Sequence, residues 1–71
     1  MTTAWAVVYI GDDGRREIAA DTIRPLRRSS IQYAVDWLEP HTPAEVRREW
    51  RRLRRAVRVA CVRVEVREVE G

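Results

Sequence analysis

Hydrophobic positions along this chain recur at two different periods. The first apolar stretch, Trp5-Ala-Val-Val-Tyr-Ile10, is β-branched and aromatic, so it predicts a strand. Trp5, Val7 and Tyr9 fall on one face, and Ala6, Val8 and Ile10 on the other. A strand covered on one side alternates apolar with polar residues. This one does not, which predicts a central strand whose second face meets something else. Gly11-Asp-Asp-Gly14 then carries the Asp-Gly signal of a tight turn. Arg15 to about Ala20 returns as a second strand. Asp21-Thr-Ile-Arg-Pro25 breaks the pattern, because Pro25 biases Arg24 toward extended backbone.

Residues 26–39 fit both periods. Ile31, Tyr33, Val35 and Trp37 share a face at period 2, whereas Ile31, Ala34, Val35 and Leu38 form a stripe at period 3.6. Ser29 with Gln32 would make a capping box, and Pro40 ends either element. The pattern divides evenly here. The next element does not: Thr42-Pro43-Ala44-Glu45 supplies an N-cap, Pro at the first helical position and Glu at the third. Val46, Trp50, Leu53 and Val57 follow as one apolar stripe of a helix. From Val59 the period returns to 2, with Ala60, Val62, Val64 and Val66 opposite Arg63, Glu65 and Arg67. The expected fold class is α+β: a small two-layer domain of order β-β-α-α-β. Two helices on one face of a three-stranded antiparallel sheet bury the most apolar surface. Residues 1–71 form a single domain without repeats or linkers.

A chain of 71 residues buries only about 60% of its unfolded surface, so a long cleft between two lobes is not expected. No apolar run approaches the roughly 18 residues that span a membrane, and no signal-peptide pattern stands at the start. A single Cys makes no internal disulfide, which fits a reducing cytoplasm.

Chemistry is sparse. One His and one Cys make no nucleophile pair. Cys61 sits beside valines and reads as a small sheet residue; His41 reads as a solvated loop residue. No residues have metal-ligand spacing. Asp12 and Asp13 are explained by the hairpin tip, and three glycines are too few for a phosphate-cradling loop. The expectation is a non-enzymatic protein with no catalytic residues, cofactor or metal.

Charge changes that picture. All fourteen basic residues are Arg. Arg grips phosphates and carboxylates with a planar fork, but a GC-rich coding sequence also favours Arg over Lys. The net charge of +3 is uneven: residues 15–28 carry +3 (Arg15, Arg16, Arg24, Arg27, Arg28 against Glu17, Asp21), and residues 42–57 carry +4 (six Arg against Glu45, Glu49). With Val46 at zero on the helical wheel, Arg54, Arg47, Arg51, Arg55, Arg48 and Arg52 fall at roughly 80, 100, 140, 180, 200 and 240°. They make one basic arc opposite the apolar stripe. Glu45 and Glu49 each stand three residues before an Arg, and such pairs contribute only about 0.2–0.5 kcal/mol. A plain solvated face would mix the signs, whereas an anionic partner would relieve the repulsion. Trp5, Tyr9, Tyr33, Trp37 and Trp50 are many aromatics for so small a core, and Trp, Tyr and Arg are enriched at binding hot spots. Trp50 belongs to the dry stripe. The candidate partner-binding set is Arg47, Arg48, Arg51, Arg52, Arg54 and Arg55, with Tyr9 and Trp5; Arg47, Arg51 and Arg55 lie at its centre.

The string Trp5-Ala, Ala20-Asp-Thr-Ile-Arg-Pro25, Trp50 and Cys61-Val-Arg-Val64 resembles a loose group of small phage and prophage accessory proteins. These share a Trp-Ala opening, an Asp/Glu-Thr-x-Arg-Pro turn entering a helix, a Trp-rich helix and a closing Cys-Val-Arg-Val strand. The chain departs from them in having Ala56-Val57-Arg58 where members often have Gly, which leaves the start of the last strand open. The resemblance carries no site residues. It implies a helix over residues 26–39 and a phage-encoded accessory role. The leading expectation is an inhibitor or modulator of a bacterial host protein complex, for example an anti-CRISPR protein or a transcription inhibitor. The alternative is binding of DNA or RNA backbone by the same basic helix. A homodimer formed through the open sheet face is a third possibility.

Overall fold

A computed structural model describes residues 2–37 and 39–67. Strand β1 spans Thr2–Ile10, β2 Arg16–Ile18 and β3 Val59–Val66; helix α1 spans Arg27–Val35 and α2 Pro43–Ala56. The sheet order is β2-β1-β3, antiparallel throughout, so the doubly apolar β1 is the central strand as its composition predicts. The hairpin closes with Gly11 N–H on the Arg15 carbonyl at 2.8 Å. Gly14 takes φ +81°, the left-handed region where a side chain is strained.

β2 is shorter than the predicted Arg15–Ala20. Ala19 N–H still donates to the Val7 carbonyl at 2.9 Å. The chain then lifts into a 3-10 turn, Ala20–Thr22. It returns at Arg24, which exchanges backbone hydrogen bonds of 2.8 and 2.9 Å with Trp5. Across the gap the Thr22 hydroxyl accepts the Val7 N–H at 2.8 Å.

The ambiguous segment 26–39 is helical over Arg27–Val35, with Asp36 as the C-cap. α1 starts two residues before the predicted cap: Leu26, extended at φ −113° and ψ 139°, is the N-cap and offers no side-chain cap. Its carbonyl accepts from Ser29 and Ser30 N–H at 3.1 Å each, so Ser29 lies inside the first turn rather than before it. Pro25 restricts only Arg24 before it, so the helix is free to begin just after Leu26. Leu38, the last residue of the predicted stripe, lies outside the described residues.

α2 begins as its sequence demands. Thr42 Oγ1 accepts Glu45 N–H at 3.3 Å, and Glu45 Oε1 accepts Thr42 N–H at 2.9 Å. The apolar stripe ends at Leu53, because Val57 is the extended C-cap and is exposed.

Both helices cover one face of the sheet. Val7 and Val59 pack there with Ile31, Val46 and Trp50. Register places Val7 opposite Cys61 and Tyr9 opposite Val59, which puts these four on the helix side. Cys61 is half-buried at the core margin, as a small sheet residue should be. Among the described residues no helix packs on the opposite face, where Ala4, Ala6 and Val8 of β1 are nonetheless buried. This face sets small against large in Ala4–Val64, Ala6–Val62 and Val8–Ala60. The apolar row of β3 therefore faces away from the helices, while Arg63 and Glu65 lie exposed on the helix side, beyond the end of the core.

Candidate interaction site

The α2 wheel places six arginines opposite the core, and the fold divides them. Arg54 and Arg55 stand in the last turn, where the helix dipole favours positive charge. Arg52 is 3.6 Å from Glu49, the predicted i,i+3 pair. Glu45 makes no such pair with Arg48, because its carboxylate is engaged in the capping box. The Thr42 N–H, then the Thr42 hydroxyl, hold the Glu45 carboxyl below the ordinary glutamate value.

Arg47, Arg51 and Arg54 turn toward α1, which presents Arg27 and Arg28. The five side chains rim a groove of about 680 Å³. Ile31, Val46 and Trp50 form its buried floor, and Gln32 and Pro43 complete the lining. Among the described residues, no acidic side chain lines this groove. Trp50 is 8% exposed, and its Nε1–H has no hydrogen-bond partner. Five positive charges over an apolar floor suit an anionic ligand that also has something apolar to bury.

The other expected residues lie elsewhere. Arg48 and Arg55 are exposed and do not line the groove. Arg52 sits on the far side of α2, where Glu49, Leu53 and Ala56 line a separate hollow. Tyr9 borders a third depression of about 320 Å³ with Tyr33 and Trp37, the latter 69% exposed. Trp5 is half-buried beneath the Arg63 guanidinium, 5.3 Å from the ring centroid. The aromatic of the groove is thus Trp50, which reads from sequence as a core residue and is also one.

Arg27 and Arg28 were not in the expected set. Their signal was the positive block 15–28, but the undecided period of residues 26–39 hid which face they would share. His41 departs from the solvated loop residue that the turn suggests. Its Nδ1 lies 3.1 Å from Asp36 Oδ1, with the two side chains only 17% and 24% exposed. The pair staples the end of α1 to the loop entering α2.

Among the described residues, no group of three or more His, Cys, Asp or Glu is placed to hold a metal ion. Among the same residues, no helix is long and apolar enough to cross a membrane. No protein-family model, curated protein or solved structure matches this chain.

Proposed function

We propose that this is a non-catalytic binding protein whose α1–α2 groove receives an acidic protein segment with an apolar anchor. One observation carries the reading: Arg27, Arg28, Arg47, Arg51 and Arg54 surround a buried floor of Ile31, Val46 and Trp50, with no acidic residue in the lining among the described residues. Acidic side chains would answer the rim with charge-assisted hydrogen bonds. An apolar side chain between them would cover the floor. The resemblance to small phage and prophage accessory proteins supports a bacterial macromolecular complex as the target, such as a CRISPR effector or the transcription machinery. The protein would modulate it by occupying its surface.

The alternative is nucleic-acid backbone, favoured by the basic pI of about 10.0. Phosphates need the rim but not the floor, and bases stack on exposed aromatic faces, whereas Trp50 is buried.

Capture from nuclease-treated bacterial lysate tests the reading. Wild-type protein should retain a host complex. The triple reversal Arg47→Glu, Arg51→Glu, Arg54→Glu should lose it while helical circular dichroism stays unchanged. Reversal of Arg48 and Arg55, outside the groove, should retain it. Equal loss in both variants would assign binding to general charge. Capture abolished by nuclease, with an affinity falling linearly in log-log salt plots, would select the nucleic-acid reading.

A further inference from the structure

β3 is an edge strand of eight residues, Val59–Val66, with neither Pro nor bulge. Its partner β1 lies on one side, and among the described residues no other strand pairs with the opposite edge. Hydrogen-bond direction alternates along a strand. Ile10 N–H donates to the Arg58 carbonyl at 2.9 Å, continuing the β1–β3 register. The even-numbered residues of β3 therefore turn their N–H and C=O groups toward β1. Cys61, Arg63 and Glu65 turn theirs to the free edge. Of β3, Val59 and Cys61 at the start of the strand join the core beneath the helices, while Arg63 and Glu65 farther along are exposed. A long, regular edge of this kind is a template for another strand.

We infer that this edge pairs with the same edge of a second copy, antiparallel across a two-fold axis, to make a six-stranded sheet. Alternation allows only registers that place outward residues opposite outward residues. Placing the axis at Val64 sets Arg63 opposite Glu65 of the second copy, and Glu65 opposite its Arg63. Both side chains are exposed on the helix side, so two cross-strand ion pairs form. On the other face Val64 meets its own copy, and Val62 meets Val66. Sliding the register by one permitted step puts Arg63 on Arg63, or Glu65 on Glu65. The charge pattern thus selects one register and is complementary to itself, as a two-fold interface requires.

The helices tolerate this arrangement. α2 meets β3 near residue 60, four residues from the axis, so the two α2 helices stand roughly 25 Å apart along the strands. That separation exceeds the screening length of about 8 Å at physiological salt. The ladder from Cys61 to Arg67 supplies about eight backbone hydrogen bonds. Its contact is small, and association should depend on concentration.

Sedimentation equilibrium of the full chain across a concentration series tests the pairing. Wild type should reach twice the monomer mass of 8.3 kDa. Arg63→Glu or Glu65→Arg alone should each weaken association by about tenfold or more, because each makes both cross-strand pairs like-charged. The double swap, Arg63→Glu with Glu65→Arg, should restore the wild-type constant. Circular dichroism verifies that each variant folds. Wild type remaining monomeric throughout would overturn the inference. So would a dimer indifferent to the single reversals, which would instead point to association through another surface.

Discussion

The Thr22 hydroxyl accepts the Val7 backbone N–H at 2.8 Å and donates to the Ala19 carbonyl at 2.6 Å. A side chain thus completes a ladder that the backbone leaves open where the 3-10 turn departs. Thr22 is nearly fully buried, so neither group finds water as a substitute. Thr22→Val keeps the shape and removes the acceptor, and should cost about 1–3 kcal/mol. Thr22→Ser should retain most of the stability. Urea unfolding of the two variants checks this; a larger loss in Thr22→Ser than in Thr22→Val would show that the methyl, not the hydroxyl, matters here.

Trp50 joins the core to the groove floor, and its Nε1–H is unpartnered. Trp50→Ala opens a cavity beneath both, and should cost about 3–5 kcal/mol. Trp50→Phe removes the orphan donor together with part of the volume, so its cost should be about 1–2 kcal/mol. A phenylalanine variant as damaged as the alanine one would mean that the indole N–H has a partner in solution. Denaturant midpoints of the three proteins decide it.

Glu45 gives α2 a pH dependence. The Thr42 N–H, and then its hydroxyl, hold the carboxyl below its ordinary value of 4.5. A group lowered on folding stabilises above its unfolded pKa and loses that contribution as pH falls through its folded pKa. Wild type should therefore melt higher than Glu45→Gln at neutral pH, where the carboxylate also faces the helix N-terminus. The gap should close as pH drops below about 4.5 and onward through the lowered folded value. A gap constant from pH 7 to acid would assign the cap no charge component.

The elements that carried strong local chemistry could be read before the structure. Thr42, Pro43 and Glu45 mark the start of α2 unambiguously, and the unbroken apolar run of β1 predicts its central place. α1 was undecided because Ile31 and Val35 satisfy both periods. The start of α1 at Arg27 depends on Arg24 being held by Trp5 through backbone groups that leave no trace in side-chain pattern. The arginine arc of α2 was visible, but its division was not. Arg47, Arg51 and Arg54 become a site only because α1 brings Arg27 and Arg28 beside them. Tyr9 and Trp5, expected beside the arc, are placed by β1 at other points of the sheet, since strand register ignores helix phase.

The departure at Ala20–Thr22 has one more effect. A sheet with two ready edges adds strands at both, and repetition of that step is a fibril. Here the β2 side offers three residues, then a turn, then Pro25, which has no N–H to donate. Among the described residues the one long free edge is that of β3. Whatever strand pairs with it, from a copy or from another protein, leaves nowhere for the next to attach. The small turn that spoils β2 as a strand thus acts as a stop, limiting growth through β pairing to one event.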